Sequence, residues 1–205
     1  TYDQFVDFRD NGVYENGDVF GIGRKFSFSD SNQETRYFYD RRGRLRRTDK
    51  IFAGKELEEQ FGSESYITSY EYDNLGRQVA VTYPETNDFG AETVEFDYDG
   101  IYLKKAEGQD TYVSDMTYNK FGQVTERVLG NSVVESFDYD NLNQRLTRIG
   151  VSGGEDILDL DYDEYSNAGN ILSIKDNLYG TENKLSMDQN FTYDEFYRLT
   201  GASGA

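Results

Sequence analysis

The residues whose type and spacing suit chemistry are few. The chain has no His and no Cys, which excludes disulfides, thiolate nucleophiles and cysteine metal sites and leaves catalysis to carboxylates, Lys, Tyr or Ser. A carboxylate pair can serve glycoside hydrolysis, but 39 acidic residues among 205 supply such pairs by chance. The run Asp159-Leu160-Asp161-Tyr162-Asp163 sets aspartates at alternate positions, as at the start of a calcium loop. An EF-hand loop needs Gly at its sixth position, and Glu164 stands there. The same spacing puts all three carboxylates on one solvent-facing side of a strand, with Leu158, Leu160 and Tyr162 opposite, and this is the preferred reading. Asn190-Phe191-Thr192 fits a glycosylation acceptor but overlaps a strand-like run, so chance accounts for it. No catalytic, cofactor-binding or metal residue is assigned, and the chain is not expected to be an enzyme.

The elements that would position any site are repeated. Seven tyrosines, Tyr39, Tyr72, Tyr98, Tyr118, Tyr139, Tyr162 and Tyr193, each close a strand-like run and are followed at once by Asp or Asn. Such self-similarity indicates a repeat architecture. Two positions upstream stand Tyr37, Tyr70, Phe96, Met116, Phe137, Leu160 and Phe191, while the intervening residue is polar in every copy except Phe38. That two-residue period predicts strands with one buried face shared by the tyrosine and the residue two before it.

Turn chemistry follows each tyrosine. Residues 40–43, 73–76 and 119–122 run from Asp or Asn to Gly, the preference of a type I turn. Return strands begin at Arg44-Leu45, Arg77-Gln78-Val79, Gln123-Val124, Arg145-Leu146 and Arg198-Leu199, so each unit is a β-hairpin. Four copies deviate. The third, Asp99-Gly100-Ile101-Tyr102, predicts a shorter turn. In the fifth, Asn143 substitutes for Gly. The sixth is read from Tyr162-Asp163 with an enlarged loop to Asn170, and the seventh has Tyr197 where Gly is expected.

Between hairpins, residues 55–61 followed by Gly62 suggest a short helix with a glycine cap, while 150–154 and 176–183 read as loops. Residues 1–35 alternate weakly and are expected to form strands before the first clear repeat. Residues 201–205 have no apolar side chain larger than alanine and are expected to be frayed or truncated. No linker divides the chain, so 1–205 is read as one continuous array with clear repeats from about 36 to 200.

Composition sets limits on partners. The net charge of −18 argues against nucleic acid, which needs cations to release counterions, and against anionic membrane surfaces. No stretch approaches the roughly 20 apolar residues of a membrane span. Aromatics make up 16% of the chain, with 18 Tyr, 14 Phe and no Trp, so many hydroxyls need hydrogen-bond partners. The chain opens at Thr1 with no signal peptide, which reads as a fragment or processed piece.

Tyr39-Asp40-Arg41-Arg42-Gly43-Arg44-Leu45 and Tyr72-Asp73-Asn74-Leu75-Gly76-Arg77 resemble the YD or RHS repeat. That family includes bacterial Rhs proteins, the B and C components of insecticidal toxin complexes, wall-associated bacterial proteins and animal teneurins. The resemblance implies an all-β array of antiparallel hairpins forming a curved, twisted strip, a segment of a hollow shell. Bacterial members enclose a toxic polypeptide in the shell, and teneurins use theirs as an adhesion scaffold. The Asp-Pro cleavage motif that usually ends bacterial shells is absent, since the only proline, Pro84, follows Tyr83. The expectation is a secreted structural wall segment with no cofactor, whose partners are further YD-repeat chain or sheet edges and an enclosed toxin polypeptide. The alternative is an extracellular adhesion or carbohydrate-binding segment with glycan partners.

Overall fold

Strand alternation in the sequence becomes strand alternation in space. The computed structural model describes residues 23–52, 65–178 and 188–204. Every regular element among them is a β-strand. They belong to two compact units, Thr1–Asp97 and Tyr98–Ala205. The first contains β1 (Ser27–Ser29), β2 (Gln33–Tyr39), β3 (Leu45–Phe52), β4 (Ser65–Tyr72), β5 (Gln78–Tyr83) and β6 (Glu92–Asp99), whose last residues pass into the second. Each pairs antiparallel with the next. The second continues with β7 (Tyr102–Glu107), β8 (Thr111–Tyr118), β9 (Val124–Leu129), β10 (Val134–Tyr139) and β11 (Leu146–Ser152). It ends with β12 (Asp156–Tyr165), β13 (Ile171–Asp176), β14 (Gln189–Tyr193) and β15 (Leu199–Gly204). These too are antiparallel neighbours in chain order.

The strand β6 shows the pattern most cleanly: Thr93, Glu95 and Asp97 are exposed, while Val94 is buried and Phe96 and Tyr98 are half-buried. The tyrosine and the residue two before it do share the less exposed face. Burial is nevertheless shallow. Ala80, Val81 and Val94 in the first unit, and Ala106 and Leu160 in the second, are the buried apolar residues. No described side chain is wholly buried. Each hairpin therefore gains its apolar burial from its immediate neighbours, as in repeat proteins generally. Polar cross-strand pairs add to this, among them Thr82–Thr93 and Thr117–Thr125 at 2.9 Å.

The hairpin tips share one geometry. In the first, the Gly43 N–H donates to the Asp40 carbonyl at 2.8 Å, closing the turn, and the Asp40 N–H donates to the Arg44 carbonyl at 2.8 Å. Gly43 has φ 74°, and the register shifts between Phe38 and Tyr39. This is a type I turn followed by a left-handed residue in a G1 bulge. Gly76, Gly122 and Gly169 repeat it with φ of 90°, 81° and 94°.

Several expectations are corrected. The sixth tip is built on Tyr165 and Ser166, not on Tyr162 and Asp163: β12 runs through Tyr165, and the Gly169 N–H closes the turn on the Ser166 carbonyl at 2.9 Å. The glycine four residues after Tyr165 fixes the turn, and this spacing prevails over the Tyr-Asp dipeptide. In the fifth tip the left-handed residue is Gln144 (φ 60°), not Asn143. The loop is one residue longer, closed by the Gln144 N–H on the Asp140 carbonyl at 2.9 Å. Tyr197 (φ 61°) keeps the standard tip, with its N–H on the Asp194 carbonyl at 3.0 Å. The third turn is short as expected, only Gly100 and Ile101 separating β6 from β7.

Residues 150–152, read as loop, belong to β11, and only the turn at Gly153 and Gly154 remains. Residues 201–204 do not fray; they pair along β14, and Thr192 Oγ1 covers Gly201 where a side chain would stand. Asp176 closes β13, and the part of the expected 176–183 loop beyond 178 lies outside the described residues. So does the expected helix at 55–61. Of residues 1–35, the described part includes β1 and the start of β2.

A non-glycine residue in the left-handed region carries a cost of about 1–2 kcal/mol. Tyr197→Gly and Gln144→Gly are therefore expected to raise stability by roughly 0.5–1 kcal/mol each, allowing for the extra chain entropy of glycine. The midpoint of urea unfolding reads this directly, and a lower midpoint in both variants would count against the turn assignment.

Candidate functional site

The side chains that the sequence repeats most faithfully converge at the tips, where they join one hairpin to the one before it. Tyr72 Oη donates to the Leu45 carbonyl at 2.8 Å, and Leu45 is the residue that pairs with Tyr39 across the first bulge. Tyr139 donates to Val124 at 3.0 Å, and Val124 pairs with Tyr118. Tyr165 donates to Leu146 at 2.7 Å, and Leu146 pairs with Tyr139. Tyr193 donates to Ile171 at 2.9 Å, and Ile171 pairs with Tyr165. Each hydroxyl thus reaches the backbone at the strand position opposite the preceding tyrosine. Tyr118 makes the equivalent bond to Leu103, the second residue of β7, at 2.7 Å. The bulge interrupts the ladder there, and the phenol supplies a donor from the next hairpin.

Partial burial raises the phenol pKa of Tyr39, Tyr72, Tyr118, Tyr139 and Tyr165. The donating form therefore persists throughout the ordinary pH range.

The residue after the left-handed position makes a second link. Arg44 Nε bonds its own turn carboxylate, Asp40 Oδ2, at 2.6 Å. Its Nη1 reaches forward to the Asp73 carbonyl of the next turn at 3.2 Å. Its guanidinium lies 4.5 Å from the centroid of the Tyr72 ring. A planar fork suits this three-way contact, which an ammonium could not reproduce. Arg145 repeats part of it, 5.3 Å over the Tyr165 ring and 3.3 Å from the Ser166 carbonyl. Gln123 does so without charge: it accepts from Asn119 Nδ2 at 2.8 Å and donates to the Gln144 carbonyl at 2.9 Å.

Glycine serves this link as well as the turn. A Cβ on Gly43 would stand 2.2 Å from Arg24, and one on Gly169 would stand 3.2 Å from Arg145. Arg24 holds against the Tyr39 ring the place that Arg44 holds against Tyr72, a contact that the sequence reading missed. Its guanidinium lies 5.6 Å from the Tyr39 ring centroid, and Tyr39 donates to the Lys25 carbonyl at 2.8 Å. The available signal was Gly23-Arg24 followed by alternating Phe26 and Phe28, the return half of a unit.

The Asp or Asn after Tyr39, Tyr72, Tyr118, Tyr139 and Tyr193 accepts backbone N–H groups of its own turn. Asp40 Oδ1 takes Arg42 and Arg44, and Asp194 Oδ1 takes Phe196 and Arg198. Ser166 Oγ takes Asn170 at 3.1 Å, so a hydroxyl replaces the carboxylate in the sixth tip. Bonds from Asn143 and Leu142 hold the Asp140 carboxyl below its ordinary pKa, and the Arg198 and Phe196 amides do the same for Asp194. At Asp40 and Asp73 desolvation pushes upward, but the bonds from Arg44 and Arg77 outweigh it.

The carboxylates weighed for calcium lie on a strand, Asp159 and Asp161 both within β12. Arg148 grips Asp159 in a bidentate pair at 2.6 and 2.8 Å, which lowers the Asp159 pKa. Among the described residues no group of three or more acidic side chains is arranged to hold a metal ion.

No protein-family model matches the chain. It is 33% identical over 129 residues to the toxin subunit YenC2 of Yersinia entomophaga, covering 55% of this chain and 13% of that protein. The crystal structure of TcdB2-TccC3 superposes with a TM-score of 0.68 at 22% identity, over 89% of this chain and 10% of that one. The Tc holotoxin pore of Photorhabdus luminescens matches with a TM-score of 0.68 at 21% identity, over 89% of this chain and 9% of that one. The chain thus spans only a small part of the proteins it matches. With the two solved structures it shares the fold.

Depressed aspartate pKa values carry a pH dependence. A carboxyl whose folded pKa lies below its unfolded value of about 3.9 stabilises the fold above that value and loses the contribution as pH falls through the folded pKa. Acid also changes the chain's self-repulsion, which passes a minimum near the isoelectric point of about 4.3 and returns as the carboxylates are neutralised, so the clean comparison is with variants. Asp140→Asn combined with Asp194→Asn keeps the turn acceptors but removes two titrating groups. Its urea midpoint is expected to fall less than that of the unsubstituted chain between pH 5 and 2. Equal falls would show that the tip carboxylates do not contribute.

Proposed function

On the premise that the chain is an array of RHS/YD repeats related to a toxin-complex subunit, we propose that it is a stretch of wall in a hollow shell. It would be one continuous array, and the shell would enclose a toxin polypeptide in a secreted bacterial toxin system. The observation that carries this reading is the tip ladder. The chain's most repeated tyrosines join each hairpin to its predecessor through hydroxyls bonded to backbone carbonyls, while the turn aspartates hold the amides of their own turns. A device of this kind lets a sheet extend hairpin by hairpin. The wall itself performs no catalysis, and its partners are adjoining YD-repeat chain and the enclosed polypeptide.

The glycan alternative draws no support from the relatives. The tip tyrosines Tyr39, Tyr72, Tyr118, Tyr139, Tyr165 and Tyr193 are half-buried, and their hydroxyls are engaged.

The test uses the polypeptide as isolated from its native source. The expected result is an intact denatured mass several-fold above 23.6 kDa. With it should come an internal segment that resists protease until the sheet is unfolded by denaturant. A mass near that of this chain, or a cargo segment cut as fast as the surface loops, would overturn the proposal.

A further inference from the structure

The antiparallel meander of the second unit sends its loops alternately to two rims. The tyrosine tips, 99–102, 119–123, 140–145, 166–170 and 194–198, all lie on one rim. The other rim carries 108–110, 130–133, 153–155 and, among the described residues, 177–178. The two rims differ in chemistry. At the crest of successive tips stand Ile101, Phe121, Leu142, Ala168 and Phe196. Four of these are large and exposed, Ile101 by 74%, Phe121 by 56%, Leu142 by 95% and Phe196 by 75%. A side chain so exposed contributes little to its own hairpin. Single exposed apolar residues are ordinary, but a row along one rim marks an interaction surface. The opposite crests read Gly108-Gln109-Asp110, Gly130-Asn131-Ser132 and Gly153-Gly154-Glu155, and the exposed large apolar side chains beside them are Tyr112 and Ile157, at strand starts and not at the crests.

Charge separates the rims in the same sense. Glu107, Asp110, Glu155, Asp156 and Asp176 border the polar rim, and among the described residues its loops contain no Lys or Arg. The tip loops carry Lys120, Arg145 and Arg198 against Asp99, Asp140, Asp194 and Glu195; Asp194 is paired with Arg198 at 2.7 Å, and Lys120 lies 5.0 Å from the Phe121 ring centroid. Like-charged chains at −18 repel least where charge comes nearest to balance, and that is the tip rim.

We infer that the tip rim of the second unit is a self-complementary seam that binds the tip rim of a second copy of this chain. Neighbouring strands lie about 4.8 Å apart, so successive tips recur every ~10 Å. A second copy of the same rim has this pitch by construction. An amphipathic helix repeats a contact every two turns, about 10.8 Å, and drifts out of register over five tips. A two-fold interface brings the same patch of both copies together. In antiparallel alignment its axis passes the middle of the five tips, which sets Leu142 against Leu142 of the other copy. The inference stands apart from the wall reading, since the seam forms whether or not the chain surrounds a cargo.

Sedimentation of the 205-residue chain across a concentration series tests it. The expected result is a monomer–dimer equilibrium that shifts to monomer in the Phe121→Ser, Leu142→Ser, Phe196→Ser triple variant. A chain that stays monomeric at its highest soluble concentration, or a triple variant that folds and still dimerises, overturns the inference. Because the chain has no Cys, single cysteines give a second reading that does not depend on the triple variant folding. Leu142→Cys is expected to oxidise to a covalent dimer, while Asn131→Cys on the polar rim stays monomeric. Equal cross-linking of the two, or none at Leu142, also overturns it.

Discussion

A tyrosine hydroxyl bonded to a backbone carbonyl of the preceding hairpin is the interaction on which the rest of this structure depends. Hairpins in isolation are marginal in water, and these bury no side chain completely. Ladder hydrogen bonds join strands but do not fix how the tips of successive hairpins stand. The phenol does so because it is long enough to reach the bulge of the neighbouring unit and carries its donor at the far end. Each such bond contributes about 1 kcal/mol net, and its value lies in recurrence.

The other features of the tip follow from that bond. The G1 bulge turns a carbonyl toward the next tyrosine, the aspartate or its Asn or Ser substitute pins the turn that makes the bulge, and glycine supplies the left-handed residue. Glycine has a further role, since Arg24 lies against Gly43 and Arg145 against Gly169 where a Cβ would stand. Gln144 and Tyr197 carry positive φ without being glycine, so the turn geometry is retained even where the residue is unfavourable. The acidic composition is compatible with this arrangement because many carboxylates are turn caps or partners of arginine.

The repeat, its hairpin character and its buried face were legible because a two-residue period and an Asp-x-x-Gly turn are local signals. The sixth tip was not, because Tyr162-Asp163 presents the expected dipeptide while Tyr165-Ser166 presents the expected spacing to Gly169. Only the chain geometry decides between them. Asn143 misled for a related reason: it is a good left-handed residue, but a loop longer by one residue hands that conformation to Gln144. The pairing of the final glycine-rich strand was hidden because its ladder is made by the backbone. Nor can the partners of the tyrosine hydroxyls be read from sequence, since a carbonyl has no residue signature. The difference between the two rims required the strand order.

The most direct measurement is amide hydrogen exchange on a Tyr139→Phe variant, which keeps the ring and removes only the hydroxyl. If the tip bond couples successive hairpins, exchange accelerates in the hairpin of β8 and β9, around Val124, as well as in that of β10 and β11. Acceleration confined to β10 and β11, or none in either hairpin, would contradict the coupling.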